Sequence, residues 1–338
     1  MDVLSDVLRV VRLSGAVFFT ADFSSPWAID SPIPDMLVSV MPEAECVVLF
    51  HILVEGECEV QCPGHPLTTM ASGDVIVFPR GDEHTMRSHG ATHPTPLVSI
   101  FSPGGHDEPP QLSYGGGGHT SRFVCGYLNC DQRFSPLVEA LPTMLLVRSA
   151  DDYSTIEAVD TGGRRPTGVP QGSSNWLGTT LKFTVNEARA ARPGNVAMLG
   201  RLTELMFVEI LREYMQRLPS TQTGWFAAVN DPHVGKALRL LHANPVRDWT
   251  VDELAREVAL SRSVLAERFV ELVGEAPMRY LANWRMQLAK QMMREGTHNI
   301  QEIATRVGYD SEAAFNRAFK RATGSPPAAW RKGITLAS

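Results

Sequence analysis

The sequence predicts an α+β protein with a β-rich N-terminal domain, a helical connector and an all-α C-terminal domain. Three observations support this prediction. The length of 338 residues is enough for two domains of roughly 150 residues each. The spacing of apolar residues changes near residue 174 from short β-rich runs to a helical period. Two stretches of the last hundred residues also repeat each other. We place the domains at 1–150 and 231–332 and the connector at 174–218.

The composition is that of a soluble globular protein, with 43% hydrophobic and 20% charged residues. No apolar run reaches the roughly 20 residues that a membrane span needs. The first residues carry no early Lys or Arg, so no secretory signal is expected. Five cysteines are too few, and odd in number, for a disulfide framework. These features predict a cytoplasmic protein with reduced thiols and no membrane partner.

The net charge of −6 conceals an asymmetry between the two halves of the chain. Residues 231–338 carry 16 basic and 12 acidic side chains, whereas residues 1–230 carry 15 and 25. Such an asymmetry indicates nucleic-acid binding by the basic segment. Two domains with differently charged solvated surfaces would give the same counts.

The N-terminal half reads as a small β-barrel or sandwich. Gly, Pro, Asp and Ser clusters separate several short β-rich runs, which is the pattern of such folds. A short amphipathic helix over 3–11 precedes the runs, and a helix over 136–147 follows them. The predicted strands lie at 16–20, 46–54, 57–62, 74–78, 97–101 and 121–128.

The connector carries an apolar stripe of helical period. Leu199, Leu202, Met206 and Leu211 recur at intervals of three to five residues. Such a stripe packs either against the rest of the chain or against a second subunit. We therefore expect the connector to serve also as the dimerisation element of a homodimer.

The C-terminal half is helical from Asp231 to Lys332. Thr250, Ser261, Asn299 and Ser311 have the side chains and positions of helix N-caps, and the glycines at 274 and 324 suit helix C-termini. The predicted helices lie at 232–243, 251–258, 261–273, 277–294, 300–307, 312–323 and 326–332.

An offset of 50 residues relates the two repeated stretches. Leu265 matches Phe315, Phe269 matches Phe319, and each copy is a short helix, a tight turn and a longer helix. This is the helix-turn-helix arrangement, whose second helix can enter the major groove. Its polar residues suit bases and phosphates, and the candidate DNA-binding residues are Ser261, Arg262, Ser263, Glu267, Arg268, Ser311, Glu312, Asn316, Arg317, Lys320 and Arg321.

Residues 231–332 resemble the DNA-binding domain of the AraC/XylS family of transcriptional regulators. The resemblance is carried by Ile303-Ala304, Gly308-Tyr309, Phe315 to Arg321, and Gly324 to Arg331, and in the first copy by Leu254-Ala255, Ser261, Leu265, Phe269, Gly274, Pro277 and Tyr280-Leu281. It implies binding to double-stranded operator or promoter DNA, a homodimer, contact with RNA polymerase and regulation of transcription, with activation expected and repression left open. One departure is Glu267, which stands where the family usually has Arg. Glu267 either accepts from a cytosine amino group or faces solvent.

A second motif lies in the N-terminal half. Gly73, Pro79, Gly81 and His84 have the spacing of the second cupin motif, and the turn at Gly56 resembles the end of the first. The resemblance implies a cupin-like sensor domain. The metal-binding His-x-His and Glu of the first motif are absent, since Leu49 stands near the Glu position.

His51, His84 and Cys125 are the candidate effector-binding residues. His51 has the strand parity of Leu49, so both histidines are expected inside the barrel. Metal binding by His51 and His84, hydrogen-bonded core histidines and metal-free effector contact all remain open. A redox role for Cys125 with Cys130 is a further alternative, although unpaired cysteines more often serve as buried small hydrophobic residues.

The sequence thus predicts a sequence-specific DNA-binding regulator that senses a small-molecule effector. No Gly-rich phosphate loop, nucleophile elbow or carboxylate pair indicates catalysis, so we expect neither an enzyme nor a cofactor. The alternative is a cupin-type metal-dependent enzyme with a helical appendage.

Overall fold

The computed structural model describes residues 2–11, 14–31, 47–100, 110–129, 136–149, 154–159, 175–190, 192–218 and 223–336. The chain divides into two compact units. The first comprises 1–11, 134–140 and 218–338, and the second comprises 12–133 and 141–217. Helix α1 (Val3–Val11) therefore groups with the C-terminal helices, although the sequence analysis placed it with residues 1–150.

The second unit contains two antiparallel-rich sheets. The first sheet has seven strands in the order β12-β11-β6-β3-β10-β1-β9, and the second has five in the order β5-β4-β7-β2-β8. Side chains from both sheets form one apolar core, so the expected small barrel takes the form of a two-sheet arrangement among the described residues. The strands are β1 (Ser14–Ser24), β2 (Ala28–Ser31), β3 (Val47–Glu55), β4 (Glu57–Gln61), β5 (Thr68–Ala71), β6 (Val75–Phe78), β7 (His84–Arg87), β8 (Thr95–Pro96), β9 (Gln111–Gly115), β10 (Thr120–Asn129), β11 (Met144–Ser149) and β12 (Ser154–Val159).

Two predictions in this half are wrong. The segment Leu97–Ser99 is a 3₁₀ turn rather than a strand, and it begins directly after Pro96. The predicted helix over 136–147 stops at Glu139, where helix α2 (Pro136–Glu139) ends. Strand β11 follows and pairs with β6 and β12. An apolar run of this length forms a buried strand as readily as a helix, and the free edge of β6 decides the outcome here.

Two helices, in the region where the sequence predicts a helical connector, complete the second unit. They are α3 (Asn175–Ala190) and α4 (Asn195–Arg217). Helix α4 packs closely on strand β1 through two glycines. A Cβ atom on Gly200 would lie 2.6 Å from the carbonyl oxygen of Gly15. The backbone N–H of Gly15 also donates to Glu204 Oε1 at 2.8 Å.

The first unit is helical, as predicted. After α1 and α2 it contains α5 (Trp225–Asn230), α6 (Val234–Ala243), α7 (Val251–Glu257), α8 (Arg262–Val273), α9 (Pro277–Glu295), α10 (Ile300–Arg306), α11 (Glu312–Thr323) and α12 (Pro327–Leu336). Thr250 and Asn299 cap α7 and α10 with complete capping boxes. Gly274 and Gly324 end α8 and α11 in the left-handed conformation. None of the described helices is long and apolar enough to cross a membrane.

Helix α1 is part of the core of the first unit. Asp6 is buried, and its Oδ2 lies 3.7 Å from Nδ1 of the buried His242 on α6. The other ring nitrogen of His242 is 2.8 Å from the hydroxyl of Tyr280 on α9. Burial raises the pKa of Asp6 and lowers that of His242 to about 3. The N-terminal helix therefore contacts α9, the helix that joins the two helix-turn-helix motifs.

Candidate nucleic-acid interface and sensor site

The second helix-turn-helix motif consists of α10 and α11. Its turn passes through Gly308, whose φ is +82° and whose added Cβ would lie 2.9 Å from the backbone of Val246. Ser311 caps α11 by accepting from the N–H of Ala314 at 3.2 Å. Phe315 and Phe319 are fully buried. Because helical positions three and four apart share a face, the opposite face of α11 points to solvent.

The exposed face of α11 carries unpaired positive charge. Arg317, Lys320 and Arg321 are exposed, and none of them forms an ion pair with a described residue. Glu312 is also exposed in the first turn. Asn316 is half-buried, and its Oδ1 has no hydrogen-bond partner among the described residues. The three cations are therefore available for another molecule, whereas Asn316 is partly enclosed by its own domain.

The first helix-turn-helix motif, α7 and α8, has its capping serine and buried residues at the same positions as the second motif, but different side chains on its exposed face. Ser261 caps α8 through Val264 N–H, and Leu265 and Phe269 are fully buried. Glu267 is exposed at the position that Arg317 occupies in the second copy. The hydroxyl of Ser263 lies 3.2 Å from that of Ser261.

Both arginines of α8 form ion pairs within the domain, that of Arg268 with a buried carboxylate and that of Arg262 with an exposed one. Arg268 donates to Asp231 Oδ2 through Nε at 2.9 Å and Nη2 at 2.5 Å. Arg262 lies 3.3 Å from Asp252. Burial alone would raise the pKa of Asp231, but hydrogen bonds from Arg268 and from the N–H groups of Val234 and His233 outweigh it and lower the pKa. Sequence reasoning missed Asp231 because it lies 37 residues before Arg268, and no pattern of spacing connects the two.

The two motifs therefore differ in net charge. Residues 231–276 carry 6 basic and 8 acidic side chains, and residues 277–338 carry 10 and 4. The positive balance of the C-terminal half thus comes entirely from the linking helix and the second motif. Attraction to a phosphate backbone is concentrated there.

The three candidate effector residues lie together in the core of the β-rich unit. His51 on β3 faces Cys125 on the neighbouring β10, and its Nδ1 is 2.8 Å from Cys125 Sγ. Its Nε2 is 2.9 Å from Nε2 of His84, which begins β7 in the other sheet. Nδ1 of His84 is 2.9 Å from the carbonyl oxygen of Asp82. The structure confirms that both histidines point inward, and their contact joins the two sheets.

The carbonyl at Asp82 sets the direction of this hydrogen-bond chain. Because a carbonyl only accepts, His84 carries its proton on Nδ1 and accepts at Nε2. His51 then donates from Nε2 and accepts the Cys125 S–H at Nδ1. Burial lowers the pKa of His51 well below its usual value and lowers that of His84 to about 4. Burial likewise raises the pKa of the Cys125 thiol, so all three groups are neutral near pH 7.

The arrangement does not fit a metal centre. Within the described part of the chain, the nitrogens of His51 and His84 that face each other are the one pair in reach, and the sulfur of Cys125 lies on the opposite side of the His51 ring. The described residues include no group of three or more His, Cys, Asp or Glu side chains suited to a metal. Zinc sites in proteins use three or four protein ligands. Cys130 lies outside the described residues.

A small, mostly apolar cavity adjoins this chain. His51, Cys125 and Ser31 supply its polar wall. The other lining residues are Phe19, Phe23, Ile29, Met86, Leu97 and Phe123. The cavity's volume of about 10 Å³ is room for about one water molecule, well below the roughly 300–1,000 Å³ of typical ligand pockets.

Comparisons with known proteins agree with this architecture. The Cupin_6 family, described as cupin, matches residues 2–160 and 167–216, and the HTH_18 family, described as a helix-turn-helix domain, matches residues 254–333. A putative AraC-like transcription regulator from Streptomyces lividans is 30% identical over 99% of this chain and 100% of its own. The regulator AlkR from Acinetobacter baylyi is 27% identical over 98% and 99%. The transcriptional activator RclR from Escherichia coli, named as RCS-specific, is 23% identical over 99% and 98%.

A cupin domain followed by two helix-turn-helix motifs defines a DNA-binding transcription regulator. The chain belongs to the AraC-like transcriptional regulators that carry an N-terminal cupin domain. Its partner is double-stranded DNA. The relatives are named as regulators, so the alternative of a cupin-type enzyme is not supported.

Proposed function

We propose that helix α11 provides most of the affinity for DNA and reads guanine in the major groove through Arg317. The observation that carries this proposal is the exposed face with three cations that have no partner in the described chain. Arginine can contact guanine O6 and N7 with two hydrogen bonds. Lys320 and Arg321, one turn further on, suit the flanking phosphates.

Fluorescence anisotropy of the full chain on duplexes selected from a random pool tests this role. We expect one motif to be enriched and to be bound in the presence of excess unrelated DNA at physiological salt. Lys320→Ala should weaken binding to all duplexes alike and reduce the slope of log K against log salt by about 1. Failure to enrich any motif would refute sequence-specific binding.

We also infer a homodimer formed through α3 and α4. Four large apolar side chains, Trp176, Phe183, Met198 and Leu205, are 44–53% exposed on these two helices. An apolar patch of this kind on two adjacent helices suits a second copy of the same surface. Sedimentation equilibrium should show a dimer that Phe183→Ser with Leu205→Ser dissociates. Val98→Ser, an exposed valine outside both helices, should leave the dimer intact.

We propose that the cavity beside His51 and Cys125 holds a small effector without a metal. Its apolar lining and single polar wall support this proposal, and an effector would have to enlarge the cavity, which has room for about one water molecule. A thermal-shift screen of small apolar compounds with the full chain tests it, because a ligand of the folded state raises Tm by mass action. A ligand-induced shift that is unchanged in Ile29→Val, which alters the cavity wall, would place the ligand elsewhere.

Contact with RNA polymerase and activation of transcription are further proposals, supported by the Escherichia coli relative that is named an activator. We expect the protein to act in the cytoplasm, where its DNA is. Transcription in vitro with purified polymerase should rise when the protein is added to its selected promoter. Unchanged or reduced transcription would contradict activation.

A further inference from the structure

The outward surface of α8 differs in kind from that of α11. The α8 outer face consists of Ser263, Glu267, Val270 and Glu271, which are exposed opposite the buried Leu265 and Phe269. The offset of 50 residues places Ala313, Arg317, Lys320 and Arg321 at the same positions of α11. Of the second helices of the two motifs, called recognition helices here, α8 thus presents carboxylates and a valine where α11 presents cations.

Nothing within the domain neutralises the carboxylate at the centre of the α8 outer face. Glu267 is exposed and forms no ion pair with a described residue. The two arginines of α8 pair instead with Asp231 and Asp252. Val270, one turn further on, is 45% exposed. The face therefore offers an acceptor and an apolar group, but no free cation for a phosphate.

These two groups have few favourable partners in a major groove. A carboxylate is repelled by phosphates and by the acceptors of guanine, and cytosine is the base whose own major-groove edge presents an amino donor and no acceptor. A valine side chain gains most from the methyl group of thymine. Glu267 and Val270 are separated by about 4.5 Å along the helix, and successive bases on one strand rise by about 3.4 Å. The two groups therefore suit a cytosine and a thymine one or two steps apart.

We propose that α8 selects a cytosine through Glu267 and a nearby thymine through Val270, and that it adds discrimination rather than affinity. The proposal rests on the function proposed above, in which both motifs meet DNA. Glu267 mainly disfavours wrong sequences, because phosphates and base acceptors repel its carboxylate. At the correct site, the cytosine amino group offsets this repulsion by donating a hydrogen bond to it. The second motif supplies the attraction to the DNA phosphates, so the negative charge on α8 does not prevent binding.

Glutamine at position 267 gives the sharpest test. Gln pairs with adenine through two hydrogen bonds, so Glu267→Gln should change the preferred base at one position from cytosine to adenine. Glu267→Ala should remove the preference there and tighten binding to unrelated DNA. The control is Glu257→Gln, which removes the same charge from the exposed face of α7, outside the α8 outer face, and should leave every base preference unchanged.

The experiment is selection of duplexes from a random pool by the full-length wild-type protein and each variant, followed by anisotropy on single-base variants of the enriched site. We expect the wild type to prefer cytosine by about 5- to 150-fold, the range of one good base contact. Replacing the neighbouring thymine by uracil, which lacks the methyl group, should weaken binding by the wild type and leave binding by Val270→Ser unaffected.

Two results separate this inference from the proposed function. If the wild type enriches a motif but Glu267→Ala tightens binding to all duplexes equally, Glu267 is only a repulsive charge and the inference is wrong, while sequence-specific binding through α11 stands. If the wild type enriches no motif, the proposed function fails and this inference fails with it.

Discussion

Arg268 and Arg317 are exposed arginines on the two recognition helices, and the structure gives them opposite roles. Arg268 is held by Asp231 through two hydrogen bonds, whereas Arg317 has no ion-pair partner in the described chain. We expect Arg268→Ala to reduce stability and leave base discrimination unchanged. We expect Arg317→Ala to leave stability unchanged and reduce binding to the cognate site.

The contacts around Asp231 set the size of the stability effect. Its side chain is 7% exposed while that of Arg268 is 47% exposed, so solvent screens the pair in part. In the variant, Asp231 would still accept hydrogen bonds from the backbone N–H groups of His233 and Val234, whose lengths are 2.9 and 2.8 Å. We therefore expect Arg268→Ala to lower the free energy of unfolding by about 1 kcal/mol. This value lies between that of an exposed ion pair and that of a buried charged hydrogen bond. For a unit of this size such a loss lowers Tm by roughly 3–6 °C.

Calorimetry and anisotropy on the full chain measure both effects. Arg317→Ala should change the unfolding free energy by less than about 0.5 kcal/mol and should weaken cognate binding by about 1–3 kcal/mol, relaxing one base position. The reasoning is refuted if Arg268→Ala relaxes a base preference at unchanged Tm. It is equally refuted if Arg317→Ala lowers Tm, or if it weakens cognate and random DNA alike, which would mark a phosphate contact.

Three further predictions concern folding. Asn299→Ala removes the cap of α10 and should cost about 1 kcal/mol in denaturant titration; an unchanged midpoint would contradict the capping box. Gly200→Ala places a Cβ 2.6 Å from a carbonyl oxygen of β1 and should cost about 1–3 kcal/mol, whereas Gly333→Ala, with open space around it, should be neutral or stabilising. Acid should destabilise the cupin domain, because His51 and His84 are buried in the neutral form with lowered pKa values. As the pH falls, the unfolded state therefore binds protons before the folded state does. Stability that is present above pH 6.5 is lost as the pH falls towards about 4. A urea midpoint that does not fall between pH 7.5 and 5 would contradict this.

The helical half of the fold could be predicted from the sequence almost completely. Its caps at Thr250, Ser261, Asn299 and Ser311 are local, since each side chain bonds an N–H three residues ahead. The strand-rich half was predicted less well. Whether the segment after Pro136 continues as a helix or becomes β11 depends on β6, which lies more than 50 residues earlier in the chain. Local pattern contains no information about such a partner.

The candidate sites show the same division. Residue type and spacing identified Arg317 and Arg268 alike, because both have the chemistry of base contacts. The structure separates them, since Asp231 engages only Arg268. The structure also shows that Asn316, which the sequence grouped with the candidate DNA-binding residues, is partly enclosed by its own domain.

The sequence by itself determined the order of the domains, the doubled helix-turn-helix and the departure at Glu267, because periodicity, caps and an internal repeat are properties of neighbouring residues. Only the tertiary structure decided which cations are free and how His51, His84 and Cys125 share their protons. Both depend on partners brought together by packing over long distances in the chain. It also showed that α11 carries exposed cations without an ion-pair partner among the described residues, whereas both arginines of α8 are ion-paired within the domain.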